Sequence, residues 1–396
     1  MARVALVVVA AALLCWLSVA IAYSFVAGRK QPAAALKLWP LSSVARTGLA
    51  ERLAAADRGR AGESARWARA ALTRDPVNAV AARQLGLAMA LSGDEDGAAR
   101  AFAYAARLSR RDLPTQLWLI EDAVRRGEVT QALRHYDLAL RVGGEADTLL
   151  LPVLVKAADD PTVAPRLAEL LRRRPSWRMR FADQLIYDGL KTPGQARLIP
   201  VLGLDLGRPV ELDLLRRALD ALVGSGRLAE AAALHRSVVP GSNGGLRNGD
   251  FSRENSLPPF DWRLVDEPGL AAVVDASRSP PVLLLTAAPG RGGEVAKQLI
   301  SLPSGSYTIQ LRFGNVQGPE LSRPLIGVTC VGAEATALSL RLPSAPERGR
   351  TARQAFTVPS GCLHQWLSIT IGRSFDDRDL GEPWLTDLRV RRSQPA

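Results

Sequence analysis

Trp366 is the residue of this chain whose type and position could do binding chemistry. It opens an alternating run in which Leu367 and Ile369 are apolar and Ser368 and Thr370 are polar. Because successive side chains of a strand point to opposite faces, Trp366 falls on the polar face. An exposed indole ring there is a flat apolar platform on which a sugar ring can stack. The alternative, burial under edge packing or a covering loop, has somewhat more weight from the sequence.

Residues that could catalyse a reaction or hold a metal are few. The three histidines, His135, His235 and His364, have no second His or Cys at metal-ligand spacing. The sequence has no nucleophile elbow, no phosphate-binding loop with Lys-Ser/Thr and no Gly-x-Gly-x-x-Gly turn after a strand. We therefore predict no catalytic residue, no metal and no cofactor, and expect a non-enzymatic function.

Two cysteines bear on whether the protein lies in an oxidising or a reducing cellular compartment. Cys330 and Cys362 lie on neighbouring predicted strands, and a disulfide between them would require an oxidising environment. Cys330 is also in phase with Ile326 and Val328, so burial as a small apolar residue is an equal alternative. The remaining cysteine, Cys15, lies in the apolar N-terminal segment.

Length and charge set the broad class. A chain of 396 residues with 47% hydrophobic residues predicts two or three folded domains. The net charge of +12 comes mainly from arginine. The arginines are spread over alanine-rich helical stretches without a nucleic-acid motif, so solvated helix faces are favoured over a polyanion site, and we predict no nucleic-acid partner.

The N-terminal segment has the length of a membrane span. Residues 4–27 carry no charge and lie between Arg3 and the Arg29-Lys30 pair. The run continues past Ala22, where an Ala-x-Ala pattern could be cleaved, and this favours an uncleaved signal anchor over a signal peptide. Positive charges at both ends leave the orientation open.

Three glycines, Gly59, Gly93 and Gly127, recur at intervals of 34 residues. After the second and third of them, small and aromatic residues follow at equal offsets: Ala98, Phe102, Ala105 and then Ala132, Tyr136, Ala139. This pattern resembles the tetratricopeptide repeat, a helix pair of the same length. The resemblance implies helix pairs that stack into an α-solenoid and hold other proteins.

The tetratricopeptide pattern also implies where a partner binds. In that family the first helix of each pair lines the concave face. The residues so placed are Arg83, Leu87 and Leu91 in one repeat and Leu117, Glu121 and Arg125 in the next. Their mixture of apolar and charged side chains suits a peptide or helix ligand, and ordinary exposed helix surface is an equal alternative.

After a glycine-rich stretch at 241–246, helical spacing gives way to alternation. The run Tyr307, Ile309, Leu311 and Phe313 interleaves with polar residues, which predicts a half-buried strand. Several such strands separated by Pro-Ser-Gly turns predict an antiparallel β-sandwich.

Short motifs in this second half carry a further resemblance. It opens with Arg247-Asn-Gly-Asp-Phe251, continues with Leu302-Pro-Ser-Gly-Ser-Tyr307 and closes with Trp384-Leu-Thr-Asp-Leu388. This order resembles the galactose-binding-like jelly rolls, which include several carbohydrate-binding modules. The resemblance covers about residues 246–390 and implies the fold more strongly than any ligand, since the family also contains pure scaffold modules.

We therefore predict a multidomain α plus β chain. Its segments are a transmembrane signal anchor (1–30), a tether (31–48), a tetratricopeptide-like α-solenoid (49–240), a linker (241–246) and a galactose-binding-like β-sandwich (247–391).

The corresponding functional hypothesis is a membrane-anchored scaffold of the cell envelope. The solenoid would bind protein partners of an assembly that makes or exports surface polysaccharide, and the sandwich would contact glycan or another subunit. We expect a single-pass protein of the cytoplasmic membrane with its soluble region outside the cytoplasm. One alternative is a cytoplasm-facing tethered adaptor without glycan binding; another, with little support from the sequence, is a glycan-active enzyme.

Overall fold

The structure, a computed structural model, describes residues 2–332, 335–374 and 382–393. The chain divides into two compact units, Met1–Phe181 and Ala182–Ala396. Within the described residues, fourteen α-helices precede eleven β-strands, which confirms the predicted helical array followed by an antiparallel sandwich. The division between the compact units falls inside the helical region, and the domain boundaries given above remain predictions.

The helices are short, as expected for helix-pair repeats, with the exception of the first. They are α1 (Ala2–Ala27), α2 (Pro32–Leu38), α3 (Ser43–Ala56), α4 (Ala61–Leu72), α5 (Ala79–Leu91), α6 (Glu95–Leu108), α7 (Leu113–Arg125), α8 (Val129–Leu140), α9 (Glu145–Lys156), α10 (Ala164–Arg172), α11 (Arg178–Tyr187), α12 (Pro193–Val201), α13 (Pro209–Gly224) and α14 (Leu228–Val238).

Helix α1 contains the candidate membrane span. Its segment Val4–Ala27 has a mean hydropathy of 2.8, and only 6% of its apolar window is buried. Length and composition are therefore those of a membrane anchor, and a signal sequence near the N-terminus has the same properties.

Polar side chains set the beginnings of many helices. The N-cap side chains of Ser42, Asn78, Asp94, Asp112 and Thr192 each accept a hydrogen bond from a backbone N–H in the first turn of the helix that follows. Each such bond satisfies a donor that the helix leaves unpaired. The caps explain why the chain is cut into helices at these positions.

The helix pairs follow the repeat pattern in the sequence. Gly93 lies in the turn between α5 and α6, and Gly127 lies in the turn between α7 and α8. Their φ angles are positive, 82° and 70°, a backbone conformation that favours glycine. The repeat aromatic Phe102 is buried and stacks on Trp118 of the next pair, with ring centroids 4.3 Å apart. Helical repeats are thus present. Gly59 differs from the other two glycines, because it lies in a 3₁₀ turn and does not have a positive φ angle.

The strands form two antiparallel sheets. They are β1 (Arg263–Leu264), β2 (Asp266–Glu267), β3 (Leu270–Asp275), β4 (Val282–Ala287), β5 (Gly293–Ile300), β6 (Gly305–Gly314), β7 (Leu325–Cys330), β8 (Thr336–Arg341), β9 (Arg350–Val358), β10 (Gln365–Ile371) and β11 (Trp384–Arg392). A five-stranded sheet has the order β1-β5-β10-β7-β8, and a six-stranded sheet has the order β2-β3-β4-β11-β6-β9.

The core of the sandwich lies between the inner faces of the two sheets. On β6 the alternating residues Tyr307, Ile309, Leu311 and Phe313 are all buried, as the sequence predicts. They belong to one apolar cluster with inward residues of the five-stranded sheet, such as Leu367 of β10. Burial of this continuous apolar surface holds the sheets together, and it leaves the opposite face of the five-stranded sheet for polar residues.

Candidate functional site

Strand β10 places Trp366 on the outer side of the five-stranded sheet. Burial alternates along the strand, with Leu367 and Ile369 fully buried and Trp366, Ser368 and Thr370 half-buried. The structure therefore puts Trp366 on the polar face, where the sequence makes it a candidate platform. The ring is partly accessible, which is what stacking by a ligand requires.

The outer surface beside β10 is polar on the side of β7 and β8, whereas on the side of β5 the buried Leu299 lies opposite Trp366. Thr329 and Gly327 of β7 lie opposite Trp366 and Ser368, and Ser339 of β8 lies opposite Gly327. We call this surface the Trp366 face, and it consists of Trp366, Ser368, Thr370, Gly327, Thr329 and Ser339. Its hydroxyl groups can both donate and accept hydrogen bonds.

Gly327 leaves the middle of the Trp366 face without a protruding side chain. A Cβ atom at this position would stand 3.1 Å from Oγ of Ser368, tighter than an ordinary contact. Without a side chain there, the surface between the indole and the hydroxyl groups stays open. An apolar ring bordered by hydroxyls and a shallow floor matches the alternation of apolar faces and hydroxyl edges on a sugar.

A cation borders the indole ring. Nζ of Lys297, on the neighbouring strand β5, lies 5.3 Å from the ring centroid of Trp366, within cation–π range. The same ammonium group pairs with Glu294 at 2.7 Å. Lys297 thus places a cation beside the indole ring, and its ion pair with Glu294 offsets that charge.

The hydrogen bonds of a buried glutamine and a nearby disulfide hold the start of β10 in place. Nε2 of Gln365 donates to the carbonyl oxygens of Leu302 (3.2 Å) and Cys362 (2.6 Å), and its Oε1 accepts from the backbone N–H of Leu302 at 2.8 Å. Cys362 is bonded to Cys330, with a Cα–Cα distance of 5.5 Å. These contacts hold the backbone on which Trp366 stands, so the indole is carried by a rigid strand.

His364 lies beside the same strand end. Its Nδ1 is 2.8 Å from Oγ of Ser301. Burial, and next the positive charge of Arg236, lower the pKa of His364 below its ordinary value. A neutral imidazole hydrogen-bonded to a hydroxyl is a structural arrangement at neutral pH.

At the β1 edge of the five-stranded sheet, the outer face contacts helix α13 of the same compact unit. Arg263 of β1, which lies opposite Lys297, pairs with Asp220 of α13. Nε of Arg216 on the same helix donates to the carbonyl oxygen of Ser256 at 2.7 Å. The accessible part of the outer face is therefore the part around β10, β7 and β8.

In the helical repeats, the predicted concave residues of α5 have different environments. The side chain of Arg83 is only 15% exposed and lies between carboxylates, 2.9 Å from Glu51 and 3.5 Å from Asp112. It therefore ties α5 to the preceding and following pairs. Leu87 is exposed and Leu91 is half-buried, so Leu87 is the residue of this set most available to a partner.

On α7 the predicted set also divides. Leu117 is half-buried and Glu121 is exposed. Arg125 pairs with Glu95 of α6 at 3.1 Å as well as with Asp122 of its own helix. Val124, which no sequence pattern singled out, is 61% exposed and lies one turn after Glu121. The available signal was a large apolar residue next to Arg125 and two positions after Asp122.

No group of three or more His, Cys, Asp or Glu side chains is arranged to hold a metal ion within the described residues. His135 contacts Gln116, with Nδ1 and Oε1 2.8 Å apart, and His235 stacks on Phe260. The predictions of no catalytic residue and no cofactor remain predictions.

Comparisons with known proteins add a likeness for the sandwich. No protein-family model and no curated protein matches the chain. Similar solved structures include a CBM4 structure, with 15% identity and a TM-score of 0.28 over 38% of this chain and 100% of that one.

Two further similar structures have comparable scores. The module CBM6cm-2 of Cellvibrio mixtus lichenase 5A, solved with cellotriose, has 11% identity and a TM-score of 0.22 over 33% of this chain and 92% of that one. The enzymatically active domain of bacteriophage CBA120 tailspike protein 4 has 15% identity and a TM-score of 0.26, covering 38% of this chain and 21% of that one. No ligand or activity is inferred from these likenesses.

Proposed function

We propose that this chain is a membrane-anchored, non-enzymatic scaffold of a cell-envelope assembly. Its N-terminal helix anchors it in the cytoplasmic membrane, its helical repeats hold a protein partner, and its β-sandwich binds surface polysaccharide. The tetratricopeptide likeness, the extracytoplasmic location and the link to polysaccharide synthesis or export are parts of this proposal.

The observation that carries the glycan-binding part is the Trp366 face. A half-exposed indole lies beside the hydroxyls of Ser368 and Thr329, and Gly327 leaves the surface between them open. Such a face offers an apolar ring for stacking and polar groups for the sugar hydroxyls. Nothing in this arrangement requires the glycan to be cleaved.

The exposed apolar residues of the first helices support the protein-binding part. Leu87 of α5 and Val124 of α7 are 36% and 61% exposed, and Val124 has the charged residues Glu121 and Arg125 beside it on its helix. A peptide or helix could cover these side chains, since apolar anchors with a polar rim are the usual composition of such interfaces.

The disulfide between Cys330 and Cys362 supports a location outside the cytoplasm, because such bonds persist in oxidising compartments. Fusing alkaline phosphatase and a cytoplasm-only fluorescent reporter in turn after Ala396 tests this. Phosphatase activity without fluorescence is expected. Fluorescence alone would place the soluble region inside and leave the tethered adaptor as the function.

The glycan-binding part is tested by affinity electrophoresis of the full chain in detergent. The probes are the surface polysaccharide of the source cell, polygalacturonate and dextran. Retardation by at least one of them is expected, with a loss of about tenfold in Trp366→Ala and a smaller loss in Trp366→Phe.

A matched control on the other sheet makes this experiment specific. Val273 of β3 is 51% exposed and lies outside the Trp366 face, so Val273→Ala should bind like the wild type. Equal binding by the wild type and Trp366→Ala, or no binding of any probe, would remove glycan binding from the proposal.

A further inference from the structure

Two cavities open along α8, one on each side of Arg134. The larger has a volume of about 600 Å³ and lies between α8 and α10, with Leu133, Arg166 and Leu170 in its lining. The smaller has a volume of about 280 Å³ and is lined by Arg107 of α6, Leu119 of α7 and Leu138 of α8, and by Arg110 in the turn between α6 and α7. Arg134 lines both, so the two cavities form one interrupted groove, which we call the α8 groove.

The rim of the α8 groove carries positive charge that is not neutralised by the protein. Arg110, Arg134 and Arg166 are exposed and form no ion pair with any described residue. Arg107 lies over the ring of Tyr104, 5.5 Å from its centroid, and likewise has no carboxylate partner among those residues. Four guanidinium groups along one groove are a strong attraction for a chain of carboxylates.

The two carboxylates in the lining are already engaged. Asp137 accepts from Arg141 at 2.8 Å and from Nε1 of Trp177 at 2.9 Å. Glu169 pairs with Arg173 at 2.7 Å. The groove therefore keeps a net positive rim when these internal contacts are counted.

The floor of the α8 groove is apolar. All four leucines of the lining contribute to it: Leu133 and Leu119 are buried, and Leu138 and Leu170 are half-buried. A polysaccharide would set its hydroxyls against leucines, and a flat membrane surface would not enter a recess between helices. An amphipathic acidic helix matches both features, with leucine-like side chains on the floor and carboxylates on the rim.

We propose that the α8 groove is a second protein-docking site, which takes an acidic amphipathic helix of a partner protein. Neither Leu87 of α5 nor Val124 of α7 lines this groove, and the groove lies on a unit other than the one with the Trp366 face. The chain would then bind three ligands: an acidic helix in the α8 groove, a protein partner at Leu87 and Val124, and a glycan at the Trp366 face.

The test is fluorescence anisotropy with the full chain in detergent and a labelled peptide of about 15 residues, long enough to form a helix. Its leucines follow helical spacing on one face, and glutamates fill the other. We expect saturable binding that weakens as salt is added, because exposed charges are screened. Arg134→Glu should weaken it about tenfold or more.

Arg66→Glu is the matched control, since Arg66 is an exposed arginine of α4 that lines neither cavity. It should bind the peptide like the wild type. The proposal is overturned if the wild type does not bind the peptide, if both variants lose the same affinity, or if polyglutamate without leucines or polygalacturonate binds as tightly as the peptide.

Discussion

Gly86 of α5 lies directly against the aromatic ring of Phe102 in α6. A Cβ atom built on Gly86 would stand 2.8 Å from Cδ2 of that ring, a separation that real Cβ atoms do not tolerate. Phe102 is itself buried and stacked on Trp118, so the ring has little room to move. The absence of a side chain at Gly86 therefore sets how closely the two helices of this pair approach.

We predict that Gly86→Ala lowers the free energy of unfolding of the helical repeats by about 1–3 kcal/mol, because the added methyl group overpacks the helix pair. The measurement is urea unfolding followed by helical circular dichroism. Gly62→Ala is the control: Gly62 lies in α4 with nothing within 4 Å of the added atom, and alanine there should stabilise by roughly 0.4–1 kcal/mol. Equal effects of the two substitutions would contradict the close approach.

The disulfide should contribute to the stability of the sandwich. It closes a sequence separation of 32 residues between β7 and the start of β10. Replacing Cys330 and Cys362 together by alanine should lower the free energy of unfolding by about 2–4 kcal/mol, because the unfolded chain then gains conformational entropy. Denaturant unfolding followed by tryptophan fluorescence measures this, and Cys15→Ala is the control. An unchanged midpoint in the double variant would show that the bond does not form in solution.

His235 should make stability depend on pH. Burial, and next the charge of Arg247, lower its pKa from about 6.5 to about 4; Asp261 opposes this and Arg236 adds to it. Its Nδ1 contacts Ser242, and its ring stacks on Phe260.

Because the unfolded state binds the proton first, the stabilising contribution of neutral His235 is complete above about pH 6.5. It is lost progressively as the pH falls toward 4. Thermal unfolding of the wild type and His235→Gln between these pH values tests this, and the variant should show a flatter dependence. The same slope in both proteins would mean that His235 titrates normally.

Lys297 should tune which glycan the Trp366 face prefers. Its ammonium group lies over the indole and pairs with Glu294, so Lys297→Met removes the cation and leaves the Glu294 carboxylate unpaired. Binding of an acidic polysaccharide such as polygalacturonate should therefore weaken by about threefold. Dextran binding should be unaffected. Lys156→Met on α9 serves as the control, because Lys156 is exposed and distant in sequence from the sandwich. A parallel loss for both polysaccharides would assign Lys297 a structural role.

The sequence predicts the fold wherever the signal is local. The 34-residue interval between Gly93 and Gly127 and the alternation from Tyr307 to Phe313 each specify a periodicity, and each periodicity fixes which face is buried. Trp366 could be placed on the polar face for the same reason.

The remaining details depend on contacts between residues far apart in the chain. The position of Lys297 over Trp366 depends on the register between β5 and β10, which no local pattern encodes. The engagement of Arg83 by Glu51 and Asp112 likewise depends on how successive helix pairs stack. The tetratricopeptide pattern implies a partner-facing position for Arg83, and the structure places its side chain between two carboxylates.

The central claim, that a sugar ring covers Trp366, is tested most directly by oxidative footprinting of the tryptophans. The full chain is treated with N-bromosuccinimide with and without saturating surface polysaccharide, and oxidation at each tryptophan is read by peptide mass spectrometry. Trp67 of α4 is also half-buried and serves as the internal reference. We expect the polysaccharide to protect Trp366 and to leave Trp67 as reactive as before. Unchanged oxidation of Trp366 at saturation would contradict it.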